Sequence, residues 1–156
     1  MRKFLIASTV FFAVVSMAQA NVSISSSSFQ EQIKVDINGV KVKEWVKAQK
    51  VVPGTLIRYV NALENAGQKT ATKLVVKNPI PLNMEYVANS AACKSACELA
   101  YSIDGGKSFK NPSELYVGAG EKRHLAKASE YTDIMWIVDS LHGSTESSVE
   151  YQARLK

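Results

Sequence analysis

The chain has few of the features that mark chemistry. Beyond its first fifteen residues no apolar run approaches the roughly 20 residues that a helical membrane span needs. This excludes a spanning helix in the body of the chain. Histidine occurs twice, as His124 and His142, and neither has a second histidine, a cysteine or a carboxylate at ligand spacing. No G-x-S-x-G is present. Gly118-Ala119-Gly120 begins a glycine-rich loop, but Arg123 stands where the third glycine belongs and no βαβ unit surrounds it, so a nucleotide fingerprint is excluded. There is no strong excess of charge of either sign. Nineteen basic residues face fourteen acids, a net charge of +5 that is too mild for a nucleic-acid footprint.

The first twenty residues read as an address. Arg2 and Lys3 precede an apolar run from Phe4 to Val15, and Ala18-Gln19-Ala20 is a small-x-small cleavage signal. We expect a cleavable signal peptide over 1–20, a serine-rich leader or edge strand over 21–32, and one domain over 33–156. Losing Arg2 and Lys3 leaves seventeen basic residues against fourteen acids, a net +3. The 136 residues after the signal suffice for one core and are too few for two ordinary domains. No cysteine follows the cleavage signal, so no lipid anchor is expected there.

What remains is alternation. Ile33, Val35 and Ile37 alternate with polar residues up to Asn38-Gly39, a two-residue hairpin signal, and Val40 and Val42 continue beyond it. "PGTLIRYVNALENAG" (53–67) lies between two turn signals. Its apolar residues fit a helix as well as a strand, since Leu56, Tyr59, Val60 and Leu63 also stand at helical spacing. The β-branched and aromatic front and the strand-like neighbours favour a strand. Asn61 then falls on the inward parity and needs a hydrogen bond or a bulge. "TKLVVKNPIP" and "NMEYV" read as short strands. Leu99, Tyr101 and Ile103 alternate up to Asp104, Gly105 and Gly106, a hairpin turn. A short strand is expected over Glu114 to Val117, and a helix or turn over 120–131. Ile134, Trp136 and Val138, then Val149, Tyr151, Ala153 and Leu155, mark two further strands. Short strands at about ten-residue spacing indicate an all-β antiparallel sandwich of immunoglobulin type, with seven to nine strands.

Two clusters invite a functional reading. Lys41, Lys43, Lys47 and Lys50 surround Trp45. They are either a solvent-facing edge strand protected against edge-to-edge pairing or a polyanion-binding patch. Cys93 and Cys97 form C-x-x-x-C rather than the C-x-x-C of redox sites. A structural disulfide is expected, with free thiols or redox or metal chemistry as alternatives. Closing so small a ring contributes about 2 kcal/mol at most, enough to pin a loop. "SIDGGKSF" (102–109) matches the box found on sialidase-type propeller blades, but a propeller needs several copies and this chain has one. It reads as a folded hairpin.

The order of "VVPGTLIRYVNALENAG", "KNPIPLNMEYVANSA", "YSIDGGKSF", "SELYV" and "YTDIMWIVDSLHGSTESSVEYQARL" resembles the bacterial conserved-repeat domain, a family of unknown function numbered eleven. The likeness covers about Trp45 to Leu155. It implies an immunoglobulin-like sandwich in an exported or cell-surface protein, with Tyr59, Trp136 and Tyr151 as fold markers. It also implies positive φ where Asn65 and Gly67 end a strand, and closure of the next strand by Pro79 and Pro81. Asn61, His142-Gly143 and the cysteine loop depart from the pattern. The family supplies no catalytic residues.

The expected protein is an exported, non-catalytic structural or interaction module of the cell envelope, periplasmic or at the surface. It is expected to be a monomer without cofactor or metal, with an envelope protein as partner. The alternative is a module binding envelope polysaccharide or another polyanion through the lysines near Trp45. A small hydrolase built on His124 or His142 is a third reading.

Overall fold

Period-two alternation becomes strand throughout the computed structural model, which describes residues 20–156. The signal peptide expected over 1–20 lies outside the described residues apart from Ala20. The strands are β1 (Val22–Val35), β2 (Lys41–Lys47), β3 (Leu56–Asn65), β4 (Ala71–Pro79), β5 (Met84–Tyr86), β6 (Ala92–Cys93) and β7 (Cys97–Ser102). They continue with β8 (Tyr116–Val117), β9 (His124–Leu125), β10 (Asp133–Leu141) and β11 (Thr145–Leu155). The helical content of the described residues is three single 3-10 turns, at Pro112–Glu114, Gly120–Lys122 and Ala128–Glu130.

All strand pairs are antiparallel. One sheet runs β2-β1-β3-β11-β5, with β6 also on β11; the second runs β4-β10-β7. The fold is all-β; these two open sheets face each other across one core, and β8 and β9 form a separate two-stranded sheet. Ile57, Leu63, Val149 and Tyr151 enter it from the first sheet, and Val76, Tyr101, Ile134, Trp136 and Val138 from the second. Trp136 and Tyr151 meet at its centre with ring centroids 6.0 Å apart, and Tyr59 stacks on Tyr151 at 4.9 Å. Each fully buried side chain of this size contributes about 2–3 kcal/mol of transfer free energy. All three fold markers therefore lie on strands and face inward.

The ambiguous segment is a strand throughout, Leu56–Asn65. Asn61 is buried without a bulge. It accepts from Ser26 Oγ (2.7 Å) and donates to Asn78 Oδ1 (3.1 Å), so its amide is satisfied from both sheets.

Several local expectations are corrected. Neither Asn65 nor Gly67 has positive φ. Asn65 ends β3 with its side chain instead. Its buried amide donates to the carbonyls of Lys69, Leu141 and His142 and accepts from the backbone N–H groups of Asn21 and Gly67. One side chain thus ties three chain segments, which a backbone turn cannot do. Gly143 is needed for space: a Cβ there would collide with the carbonyl of Gln68.

The Asn38-Gly39 turn is not a two-residue loop. The Asp36 carbonyl accepts from Gly39 N (3.0 Å), Asp36 N donates to Val40 O (2.9 Å), and Gly39 has φ of 78°. This is a three-residue loop, a type I turn closed by a left-handed glycine. The Asp36 carboxylate also accepts from the N–H groups of Asn38 and Val40, which favours this geometry. Asp104-Gly105-Gly106 is likewise not a tight hairpin. The ladder closes only at Tyr101 and Lys110, leaving a wide loop between them. The segment 114–117 divides into the end of a 3-10 turn and the two-residue β8, and 120–131 holds two 3-10 turns around β9.

Candidate interaction surfaces

β1 is longer than any neighbour and does two jobs. From Val22 to Gln30 it pairs with β3; from Glu31 to Val35 its only partner is β2. The serine-rich segment and the segment after Gln32 are two halves of this one strand. Beyond the body, β1 and β2 project as a two-stranded ribbon in which residues 32–44 are all exposed.

Directly opposed residues of an antiparallel pair share a face. The register sets Val35 against Lys41, Ile33 against Lys43, Glu31 against Trp45 and Phe29 against Lys47. Three of the four expected patch lysines therefore share one face with Trp45. Lys50 lies beyond β2 and is exposed. Lys43 pairs with Glu31 (3.0 Å) on this face, while Lys34 pairs with Glu44 (2.5 Å) on the other. At the base, the Arg58 guanidinium sits 5.3 Å from the Trp45 ring centroid and 5.6 Å from that of Phe29. Arg58 was not singled out in the sequence, because the stack is assembled from three strands distant in the chain.

A second surface lies where the sandwich is open. β4 is an edge strand, and the inward face of β1 beside it has no strand across from it. Ile24, on that inward face, is 54% exposed. Ser26, Ser28, Tyr59, Asn61 and Asn78 line a groove of about 250 Å³ there. A neighbouring groove of about 250 Å³ shares Ser28 and Tyr59 and continues past Ile57, Met84 and Leu155. Together they form a channel with a polar end and an apolar end. Burial raises the Tyr59 pKa, so its hydroxyl stays protonated.

The remaining candidates resolve into structure. Asp104 is the hub of its loop. It accepts from Ser102 Oγ, Ser108 Oγ and the N–H groups of Lys107 and Ser108. The Ser102 and Ser108 hydroxyls, with these amides, hold its carboxyl well below the usual range. Gly105 and Gly106 take positive φ, as such a loop requires.

His124 bonds the Lys122 carbonyl through Nδ1 (3.1 Å) and the Glu130 carboxylate through Nε2 (3.1 Å). Both ring nitrogens face acceptors, which favours the protonated ring. The carbonyl first and Glu130 second raise its pKa, and the bond from Lys127 N and then His124 lower that of Glu130. His142 Nδ1 meets Thr70 Oγ1 at 3.2 Å in an exposed loop.

Cys93 and Cys97 are bridged, with Cα atoms 6.4 Å apart. The bridge does more than pin a loop. Cys93 pairs with Val149 in the first sheet and Cys97 with Val138 in the second, so the disulfide closes the corner where the chain passes between sheets. Ser95 Oγ to Ser147 Oγ (2.6 Å) and Lys94 N to Ser148 O (2.8 Å) fasten the same corner. Among the described residues no group of three or more metal-ligating side chains occurs, and no helix is long and apolar enough to cross a membrane.

No protein-family model, no curated protein and no solved structure matches this chain.

Proposed function

We propose that the protein is an exported, non-catalytic interaction module of the cell envelope that binds an extended segment of a partner protein along its open flank. The observation that carries this is the mismatch in width between the sheets. One sheet lays five strands side by side, β2-β1-β3-β11-β5, against three in the other, β4-β10-β7. A strand added beside β4 would find unpaired backbone groups, and beneath it Ile24, Ser26, Ser28 and Tyr59 as a floor. This is the recognition mode in which main-chain hydrogen bonds give affinity and alternate side-chain pockets give selectivity. Lys73 and Lys77 on β4 discourage indiscriminate pairing at the same edge.

Export is supported by the leader and by the bridged cysteines, since disulfides persist in oxidising compartments. The immunoglobulin-like reading, and kinship with the conserved-repeat family, rest on motif order and on the two facing antiparallel sheets. A non-catalytic role is supported by a His124 whose ring nitrogens are both engaged. The test is a photo-crosslinking residue at Ser26 or Val75 in the exporting cell, with Glu121 as the distant control. One defined adduct from the flank is expected, and the adduct from Val75 should be lost when Ser26→Trp fills the groove. No adduct at the flank, or the same adducts at Glu121, overturns the reading.

A further inference from the structure

The ribbon carries a second property, independent of the flank. Exposed aliphatic side chains are concentrated there: Ile33, Val35, Ile37, Val40 and Val42 lie within ten residues, and Ile37 at the tip is fully exposed. Elsewhere large exposed apolar side chains come singly, as Val75 and Leu82 do, or in pairs, as Val51 with Val52 and Tyr116 with Leu125. Scattered ones need no explanation; a cluster rimmed by charge marks a binding surface.

The two faces of the ribbon differ. One presents Phe29, Ile33, Val35 and Trp45 with Lys41, Lys43, Lys47 and Glu31, a net charge of +2. The other presents Val42 and Val46 with Lys34 and Glu44, a neutral pair already bonded to each other. Lys41 and Lys47 have no ion pair within 4 Å among the described residues.

Protection of an edge strand explains lysines on β2. It does not explain aliphatics on β1, where polar residues would serve better. We propose that this ribbon docks on an anionic lipid surface. Ile37, Val35 and Ile33 would enter the boundary between headgroups and acyl chains, Lys41 and Lys47 would meet lipid phosphates, and Trp45 would lie at headgroup level. Amphipathic elements of this kind bind through buried apolar area plus attraction to anionic lipid.

Other occupants fit less well. A second copy placed face to face would set Lys41, Lys43 and Lys47 against themselves. An acidic polysaccharide would satisfy the lysines but give the aliphatic tip nothing to bury. The arrangement is a surface anchor and not a span, so it is compatible with the chain's lack of a long apolar helix among the described residues.

The test uses the chain from Asn21 onward, which contains every described strand, and vesicles of phosphatidylcholine with and without phosphatidylglycerol. Co-flotation with the phosphatidylglycerol vesicles is expected, weakening with salt. Trp45 emission should shift to the blue, while fully buried Trp136 supplies a constant background. Reversing Lys41 and Lys47 to glutamate should lower binding by about tenfold or more, at about 1 kcal/mol per charge near the surface. Ile33→Ser, Val35→Ser and Ile37→Ser together should lower it about tenfold, from lost apolar insertion. An unchanged thermal midpoint shows that either set still folds.

Three outcomes overturn the proposal: no binding to either vesicle, equal binding by the serine variant, or salt-sensitive binding to heparin with none to vesicles. The last would assign the lysines to a polysaccharide. None of them bears on crosslinking at the flank.

Discussion

β11 and the β1–β2 ribbon are written in the same alternating pattern and meet opposite fates. In β11, Val149, Tyr151 and Ala153 are wholly buried; in the ribbon, Ile33, Val35 and Ile37 stand in water. β11 has β3 on one edge, β5 and β6 on the other, and β10 across from its inner face. The ribbon has one partner per strand, and its Ile33 and Val35 lie with Phe29 and Arg58 on the side of the sheet turned away from the core. Alternation says that two faces differ. It does not say whether anything covers the apolar one, because that depends on the register of distant strands. A hydrophobic face left open in this way points to a partner, whereas the same face in β11 is simply core.

The comparison is broken most sharply at its buried end. Trp136→Ala should cost about 4 kcal/mol in urea unfolding, through lost transfer energy and the cavity left behind. Trp136→Phe should cost far less, since no acceptor among the described residues reaches the indole N–H. Equal losses would mean that the indole, and not its bulk, holds the core. Asn65→Ala should cost about 3 kcal/mol, because three carbonyls and two N–H groups lose one shared partner. A loss below about 1 kcal/mol would show that water replaces the amide freely.

Removing the disulfide with Cys93→Ser and Cys97→Ser should cost about 2 kcal/mol at most, the value for so small a ring. A larger loss would mean that the corner between sheets depends on it beyond chain entropy. At the open end, Ile33→Thr with Val35→Thr should change stability by less than about 0.5 kcal/mol, as exposed substitutions do. Threonine keeps the β-branch, so a larger loss would mean that the ribbon folds back onto the body in solution.

The smallest effect is confined to one loop. The His124 pKa is raised, so its contribution is complete below the ordinary value of about 6.5 and fades as pH climbs through the raised value. The Glu130 pKa is lowered, so its contribution is complete above the ordinary carboxylate range and fades as pH falls through the lowered value. The pair is thus fully formed between roughly pH 5 and 6.5. Protection of the amides over 124–130, corrected for intrinsic exchange, should be greatest in that window and fall at higher and lower pH. His124→Gln should flatten the profile.

Much of the fold was legible because burial leaves a period in the chain. Ile134, Trp136 and Val138, and Val149 to Leu155, announced inward faces that the structure places inward. Asn61 announced a buried amide in need of partners, though not that Ser26 and Asn78 would supply them. The failures were at turns. Asn65 looked like a backbone device and proved to be a side-chain hub, because its partners lie up to 77 residues away. Asn38-Gly39 was read without Asp36, whose carboxylate selects the longer loop. At the surfaces, the four lysines were visible in the sequence, but the face that Lys41, Lys43 and Lys47 share with Ile33 and Val35 was not. The serines of β1 left a loose leader or an edge strand open, and pairing with β3 makes them a strand.

The chain by itself decided that its segments would be strands and which side of each would be apolar, because side chains alternate across an extended backbone whatever its neighbours. Only the tertiary structure decided how wide each sheet is and which face of each strand meets the other sheet, and therefore which apolar sides become core and which stay open. Sheet width follows from hydrogen bonds between residues far apart in the chain, and local periodicity carries no record of them.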